Sequence, residues 1–239
     1  MKPALLTFDL DETLWEVAEP IRRANAAQWE WLGEHRPDVM HLQTPEAQKP
    51  IQKKVWATHS QDQHNISLMR IRFLEALLLE AGYGAADSAG AARQAFDVFL
   101  KQRQRVQLYP GVLEVLRELA SRYRLAALTN GNADIFKSEA AEHFEFAFRA
   151  EEVGAKKPDP ALFLAAMKQS GVAAERIVHI GDHPFDDVHG AREAGLRAIW
   201  VNRSADPWDG NGPAPDTIQD LTELPGLLAS GALWRTSRE

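Results

Sequence analysis

The alternation of short apolar segments with helical patterns after Tyr109 is the feature that most constrains this fold. Residues 125–128, 177–180 and 198–201 are each short and apolar, and each is bounded by polar or turn-forming residues, which predicts buried strands. Apolar residues at helical spacing lie between these segments. Strands that alternate with helices pair in parallel, so this part of the chain predicts an α/β fold with a parallel sheet.

Another apolar segment, residues 4–8, lies near the N-terminus and predicts a first buried strand. From about residue 17 to residue 106 the chain is rich in Ala, Leu, Gln, Arg and Trp and has almost no β-type alternation. This stretch predicts about four packed helices, with one apolar stripe that stops at Gly82. We therefore predict a Rossmann-like core of residues 1–15 and 106–239, interrupted by a helical bundle at residues 16–105.

Composition excludes several classes of function. The 239 residues include no cysteine, which excludes thiolate nucleophiles and cysteine metal sites and favours the cytoplasm. Lys and Arg number 27 against 34 Asp and Glu, a net charge of −7 that does not favour binding to nucleic acid. The longest apolar run, residues 161–167, is too short to span a bilayer, and no targeting segment is expected. We expect a monomer or homodimer without nucleic-acid or membrane partners.

Polar residues follow the predicted strands at the points where the strands end. Asp9 and Asp11 follow the first strand, and Thr129 and Asn130 follow the second. In parallel sheets, ligands bind beyond the carboxyl ends of the strands, where the strand order reverses. Residues two apart in extended chain point the same way, and two carboxylates about 4 Å apart repel by about 4 kcal/mol at an effective dielectric near 20. A cation or a shared proton must therefore accompany Asp9 and Asp11.

Two further polar clusters lie later in the chain. Lys157 precedes Pro158 just ahead of a predicted helix, and Asp182, Asp186 and Asp187 follow the strand that ends at residue 180. Carboxylate oxygens of this kind suit magnesium. Each cluster alone has an ordinary alternative, such as a helix cap, an Asx turn or a solvated lysine. Their occurrence after successive strands favours one shared site.

The four clusters together resemble the four motifs of the haloacid dehalogenase superfamily, and they span residues 9–187. Most members are magnesium-dependent phosphohydrolases, and the inserted helices resemble the family's helical cap domain. The resemblance implies that Asp9 is the nucleophile, that Asp11 is the general acid and base, and that Lys157 neutralises growing negative charge. It also implies that Thr129 and Asn130 hold phosphoryl oxygens.

The resemblance further implies a bound Mg²⁺. Its ligands would be Asp182, Asp187, the Asp9 carboxylate and the Asp11 backbone carbonyl, with Asp186 as an alternative to Asp187. Asp11 also separates two chemistries within the family, since haloacid dehalogenases lack this second acid. A departing halide needs no proton, whereas a departing alkoxide does. The resemblance therefore favours a small-molecule phosphate ester as substrate.

The sequence constrains the substrate less than it constrains the reaction. Residues 64–70, 129–133 and 143–150 resemble bacterial phosphatases of this superfamily that act on flavin mononucleotide and on the ribitylamino-uracil phosphate of riboflavin synthesis. Arg70 either contacts the substrate or lies at the surface. Four tryptophans either stack on a flat ring or belong to the core: Trp15, Trp29, Trp31 and Trp56. A phosphosugar mutase and a non-catalytic phospho-ligand-binding protein are the alternative functions.

Overall fold

A computed structural model describes residues 2–210 and 212–230 of the chain. The chain divides into two compact units, which we call the core unit, Met1–Glu16 with Gln107–Glu239, and the helical unit, Val17–Val106. Within the part that the structure describes, no helix combines the length and the apolar character that crossing a bilayer requires.

The core unit is built on a six-stranded sheet in which every neighbouring pair is parallel. Its order is β3-β2-β1-β4-β5-β6, so β1 lies between β2 and β4 and the strand order reverses there. The predicted parallel α/β fold is confirmed, and its four predicted strands are β1, β2, β4 and β5. The strands are β1 Leu5–Phe8, β2 Arg124–Thr129, β3 Phe146–Arg149, β4 Ile177–Gly181, β5 Arg197–Val201 and β6 Asp216–Ile218.

The two outermost strands, β3 and β6, were not predicted from the sequence. They have four and three residues and lie at the two edges of the sheet, where one side of each strand has no neighbouring strand among the residues that the structure describes. Edge strands need little apolar pattern, and the residues of β6 are mostly exposed. The first residue of β6, Asp216, is also the last residue of segment 204–216, whose Asp, Gly, Asn and Pro residues are typical of a surface loop.

Helices pack against the sheet through apolar stripes. In α5 the buried residues Val112, Val115, Leu116 and Leu119 repeat at helical spacing, as the sequence predicts. A π-helical turn, Pro184–His189, follows β4 and leads directly into α8. The helices of the core unit are α5 Val112–Ala120, α6 Ala150–Val153, α7 Ala161–Ser170, α8 Gly190–Glu193 and α9 Leu224–Ser230.

The register between strands aligns their carboxyl ends. Phe8 pairs with Ala127 of β2 and with Ile180 of β4. The next residue, Asp9, continues the pattern, since its backbone N–H donates to the carbonyl of Ile180 at 2.9 Å. The residues that follow β1, β2 and β4 therefore emerge side by side.

The helical unit contains four α-helices, which agrees with the number that the sequence predicts. Thr44 caps α2 by accepting from Ala47 N, and Asn65 caps α3 by accepting from Leu68 N at 2.8 Å. The core of this unit includes Leu32, Leu77 and Phe99, all of which are buried. The helices are α1 Ala18–His35, α2 Pro45–Thr58, α3 Ile66–Glu80 and α4 Ala85–Arg103.

Candidate active site

Lys157 lies at the centre of a cluster of charged side chains at the carboxyl end of the core sheet. Its Nζ donates to Asp9 Oδ1 at 2.7 Å, to Asp187 Oδ1 at 2.6 Å and to the carbonyl of Leu128 at 2.7 Å. These three bonds match the three hydrogens of an ammonium group. Burial by itself lowers the pKa of Lys157, but the carboxylates of Asp187 and Asp9 outweigh it and raise the pKa above its ordinary value. Lys157 is therefore a cation although its side chain is only 1% exposed.

The side-chain amide of Asn130 holds the backbone of Lys157 from both sides. Lys157 N donates to Asn130 Oδ1 at 2.7 Å, and Asn130 Nδ2 donates to the carbonyl of Lys157 at 3.0 Å. The same Nδ2 is 3.2 Å from Asp186 Oδ2. These contacts fix the position from which the Lys157 side chain reaches into the cluster.

Asp187 connects Lys157 to a buried chain of hydrogen bonds in the sheet. Its Oδ1 lies 3.0 Å from His179 Nε2, its Oδ2 accepts from His183 N at 2.9 Å, and His179 Nδ1 lies 2.9 Å from Thr7 Oγ1. An ionised carboxylate only accepts, so His179 carries its hydrogen on Nε2 and Nδ1 accepts from the Thr7 hydroxyl. Burial lowers the pKa of His179, which keeps the ring neutral. Burial raises the pKa of Asp187, but Lys157 and His179 bring it below its ordinary value.

Gly181 makes room for the Asp187 side chain. A Cβ at position 181 would lie 2.3 Å from Asp187 Cγ, a distance that no side chain tolerates. Only glycine therefore allows the last residue of β4 to pack against this carboxylate.

Asp182 is the first acid after β4. Its Oδ1 accepts from Thr13 Oγ1 at 3.0 Å, and its carbonyl accepts from Trp200 Nε1 at 2.7 Å. Burial and the charge of Asp187 raise the pKa of Asp182 to about 6. Burial also raises the pKa of Asp9, against the opposing effect of Lys157 and together with the charges of Asp187 and Asp182. Burial is the largest cause of both pKa shifts, and the repulsion between the acids adds to it.

Asp9, Asp182 and Asp187 form a group that can hold a metal ion. Each offers one carboxylate oxygen, and the three oxygens lie within 4.8 Å of one another. Three carboxylates around the single ammonium of Lys157 leave an excess of two negative charges when all three are ionised. Hard oxygen donors and that excess suit a divalent cation such as Mg²⁺, so the residues present fit the predicted ion.

Asp11 and Thr129 complete a small pocket of about 190 Å³ over the acids. Asp11 Oδ1 accepts from Trp15 Nε1 at 2.8 Å, and Trp15 itself is fully buried. Thr129 Oγ1 accepts from Gly131 N at 2.9 Å, which leaves the hydroxyl hydrogen to donate elsewhere. The pocket thus brings together donors, a second acid and the charged cluster.

Seven of the eight residues predicted for the site line this pocket, and Arg70 lies in the helical unit. The seven are Asp9, Asp11, Thr129, Asn130, Lys157, Asp182 and Asp187. Asp186, the alternative to Asp187, also lines it. The roles assigned to these residues stay predictions.

Sequence reasoning missed four residues that orient the acids: Thr13, Trp15, His179 and Trp200. Thr13 lies in a turn in which Glu12 has a φ of 58°, so alternation along extended chain does not apply and its bond to Asp182 had no local signal. Trp15 was expected to belong to the core or to stack on a ligand, and it is in the core. His179 was expected in the sheet, which is where it lies, but its bond to Asp187 had no local signal.

Comparison with known proteins adds a finding on the family. Residues 3–195 match the family model described as a hydrolase, haloacid dehalogenase-like hydrolase. The chain belongs to the haloacid dehalogenase-like hydrolases. The resemblance drawn from the four motifs is thereby confirmed.

Relatives of this haloacid dehalogenase-like hydrolase include two phosphatases. The 5-amino-6-(5-phospho-D-ribitylamino)uracil phosphatase YigB of Escherichia coli (strain K12) is 30% identical over 196 residues, which are 82% of each chain. The phosphoserine phosphatase of Thermus thermophilus is 38% identical over 158 residues, which are 64% of each chain.

A solved structure of a 2-haloacid dehalogenase from Pseudomonas syringae pv. Tomato DC3000 is also similar to this haloacid dehalogenase-like hydrolase. The TM-score is 0.90 and the sequence identity 41%, and the match covers 96% of this chain and 100% of that chain. Proteins named as phosphatases and a protein named as a dehalogenase are therefore both similar to this chain.

Proposed function

We propose that this chain is a magnesium-dependent phosphomonoester hydrolase that acts through a phosphorylated Asp9. The observation that carries the proposal is the pairing of Asp9 with the buried ammonium of Lys157, with a second acid, Asp11, lining the same pocket. A carboxylate nucleophile next to a fixed cation suits attack on a phosphate group, since negative charge grows in the transition state. The two phosphatase relatives support this reaction class.

In the first step, the Asp9 carboxylate attacks phosphorus and the bond from phosphorus to the ester oxygen breaks. Asp11, as the carboxylic acid, gives its proton to the departing oxygen, so the leaving group departs as an alcohol. Asp9 then carries the phosphoryl group, and Asp11 is a carboxylate.

In the second step, Asp11 takes a proton from a water molecule as that water attacks phosphorus. The bond between phosphorus and the Asp9 oxygen breaks, which releases inorganic phosphate and restores both aspartates. The hydrogen bond from Trp15 to Asp11 orients this acid for both proton transfers. One ester and one water give one alcohol and one phosphate.

The remaining residues of the pocket position the phosphoryl group. The Thr129 hydroxyl donates to a phosphoryl oxygen, and Asn130, the next residue in the same loop, also holds a phosphoryl oxygen. The side chain of Asn130 keeps the backbone of Lys157 in place. The ammonium of Lys157 offsets the charge that builds up on phosphate and Asp9.

The carboxylates of Asp9, Asp182 and Asp187 and the backbone carbonyl of Asp11 would hold the Mg²⁺ ion. Bound there, the ion supplies positive charge that offsets the repulsion between carboxylates and phosphate. Asp186 is the alternative to Asp187. Asp186 contacts Asn130, which gives it a different structural role, whereas Asp187 belongs to the group of three acids.

Within this class we propose a small phosphorylated metabolite as substrate, such as flavin mononucleotide or a riboflavin-pathway phosphate. The similarity to YigB over 82% of the chain supports this choice. We also propose that Arg70 contributes to substrate binding.

The test is a screen of phosphate release at fixed magnesium over flavin mononucleotide, ribitylamino-uracil phosphate, phosphoserine and sugar phosphates. We expect catalytic efficiency to be highest for a riboflavin-pathway substrate, and chelation of magnesium to abolish turnover. Asp9→Asn is expected to lose at least roughly 10³-fold in rate, while exposed Asp216→Asn on the edge strand keeps the wild-type rate. An active Asp9→Asn enzyme, or full activity in chelator, would refute the proposal.

A 2-haloacid dehalogenase is the second candidate, because the structure from P. syringae is 41% identical. That reaction uses the Asp9 carboxylate but does not need the proton of Asp11. The test is release of chloride from (S)-2-chloropropionate beside release of phosphate. Chloride release without phosphate release would replace the first proposal by the second.

A further inference from the structure

The helical unit contains a pocket of its own, built from one face of each of α1, α2 and α3. Its volume is about 420 Å³, within the usual range of about 300–1,000 Å³ for small-molecule sites. On α2, Gln52 and Trp56 are four residues apart, and on α1, Asn25 and Gln28 are three apart, so each pair shares a helix face. None of the residues that line the pocket is acidic.

Arg70, on α3, brings a half-buried positive charge to this pocket. Its Nη1 donates to Asn25 Oδ1 at 2.8 Å and lies 3.4 Å from Gln28 Oε1. Its guanidinium carbon lies 3.6 Å from the centre of the Phe99 ring. These amide and ring contacts orient the guanidinium without neutralising it. Burial and the nearby positive charge of Arg103 lower the pKa of Arg70 to about 10, which leaves it charged at neutral pH.

A guanidinium in this setting favours an anionic ligand. Removing a cation even partly from water costs free energy unless an opposite charge or strong hydrogen bonds accompany it. Here a second arginine, Arg103, is buried in the same unit and adds repulsion. A carboxylate or phosphate on Arg70 would relieve both costs, and its planar fork suits such groups.

The other lining residues favour a flat ring with polar edges. Trp29 and Trp56 line the pocket, and indoles are side chains on which aromatic rings stack. Side-chain amides such as those of Gln28 and Gln52 both donate and accept, so they match the alternating C=O and N–H groups of a heterocycle.

We propose that this pocket binds a planar heterocycle that carries an anionic substituent, with the anion on Arg70, the ring edge on the amides and the ring face on the indoles. Every residue that carries the proposal belongs to the helical unit, so it does not depend on the reaction proposed for the core unit. The ligand is either a part of the hydrolase substrate or a separate small molecule, and both share this chemistry.

Three probes test the proposal on the full-length protein by calorimetry. Orotate is a flat pyrimidine with a carboxylate, uracil is the same ring without the charge, and dihydroorotate keeps the charge but loses planarity. We expect orotate to bind at one site, uracil to bind at least about tenfold more weakly and dihydroorotate about threefold to tenfold more weakly. Equal binding of orotate and uracil, or no binding of orotate, would overturn the proposal without any variant.

Variants then locate the site. Arg70→Gln should weaken orotate at least about tenfold, and Arg70→Lys, which keeps the charge but not the fork, should weaken it less. Exposed Arg93→Gln, on α4 of the same unit, is the matched control and should bind as the wild type does. Trp56→Leu should weaken orotate without removing its preference over uracil. Wild-type affinity in both Arg70 variants would overturn the assignment.

Hydrolysis of β-glycerophosphate, which has no ring, separates this inference from the proposed function. If orotate only raises the KM for this ester, the pocket serves the substrate, and if it changes kcat, the pocket serves a separate ligand; either result supports an occupied pocket. Intact hydrolysis with no orotate binding overturns the pocket alone. Orotate binding in a protein that hydrolyses no phosphate ester overturns the proposed function alone.

Discussion

Lys157 Nζ lies 2.7 Å from Asp9 Oδ1, although 148 positions separate the two residues in the chain. The contact requires β1 to lie beside β2 and requires Asn130, at the end of β2, to hold the Lys157 backbone. One ammonium then touches both Asp9 and Asp187. This pairing fixes the position of the proposed nucleophile before any substrate binds.

The role of Asp11 predicts a dependence on the leaving group. Asp11→Asn should lower kcat by about 10²- to 10⁴-fold for an alkyl phosphate, because the alkoxide then leaves without a proton. With p-nitrophenyl phosphate, whose leaving group needs no proton, formation of the phosphorylated Asp9 should be affected much less. Pre-steady-state release of nitrophenol measures this step. Equal losses for both esters would contradict the general-acid role.

The hydrogen bond from Trp15 to Asp11 predicts a smaller loss of kcat than the Asp11→Asn substitution causes. Trp15→Phe removes the donor to Asp11 and keeps an aromatic side chain, so kcat for the alkyl phosphate should fall by about tenfold. Thermal unfolding of the same variant shows how much of the loss comes from packing, because Trp15 is fully buried. A wild-type kcat would show that the indole does not orient Asp11.

Removal of the buried cation should destabilise the fold. Lys157→Met leaves Asp9 and Asp187 without their shared ammonium, and breaking a buried ion pair costs about 3–5 kcal/mol. Denaturant unfolding at neutral pH measures this loss. Exposed Lys156→Met, one position earlier, is the matched control and should unfold as the wild type does. A stability loss of equal size in both variants would contradict the prediction.

The raised pKa of Asp182 predicts how stability depends on pH without metal. Its pKa of about 6 in the folded chain lies above the ordinary value of 3.8, so ionisation costs the folded state more than the unfolded state. The contribution of Asp182 to the free energy of unfolding is therefore fully present below about pH 4 and is lost as pH rises through 6. The total loss is up to about 3 kcal/mol. Asp182→Asn, which still accepts from Thr13, should be more stable than the wild type at pH 8 in chelator.

Magnesium should reverse this difference. Thermal unfolding at pH 8 is expected to show a rise in Tm on addition of Mg²⁺ for the wild type and a much smaller rise for Asp182→Asn. At pH 4 and in chelator the two proteins should unfold at similar temperatures. A variant that Mg²⁺ stabilises as much as the wild type would remove Asp182 from the metal site.

His179 predicts a contrast between two substitutions. His179→Leu removes the donor to the buried Asp187 carboxylate, which should cost about 1–3 kcal/mol in unfolding free energy. His179→Gln places an amide N–H at a similar distance from the backbone and should recover much of that loss, together with kcat. If the Gln variant is as impaired as the Leu variant, the ring acts through packing on Phe163 and not through the hydrogen bond.

Local patterns were sufficient for much of the fold. The four strands that form the middle of the sheet are short apolar runs, and the stripe from Val112 to Leu119 has the spacing of a half-buried helix. The edge strand β6 lacked such a signal, because two of its three residues are exposed. The other edge strand, β3, contains apolar residues but is only four residues long.

Residues of the candidate site were predictable for a related reason. Asp9, Thr129 and Asp182 each come at or just after the end of a strand, and parallel strands bring these ends to one edge. The contacts of His179, Trp15 and the Asn130 amide were not predictable, because each joins residues whose approach depends on how helices and strands pack. Arg70 shows the same limit, since only the packed helical unit places it on Phe99 beside two amides.

The order of residues along the chain alone determined the parallel sheet, the inserted helices and the polar groups at the strand ends, since hydrophobic period and turn chemistry act over a few neighbours. Only the tertiary structure decided which carboxylate meets Lys157, which hydrogen His179 carries and which side chains surround Arg70. Those outcomes depend on contacts between segments that are far apart in the chain. Such contacts, and the burial and charge interactions that come with them, form only when the whole core packs.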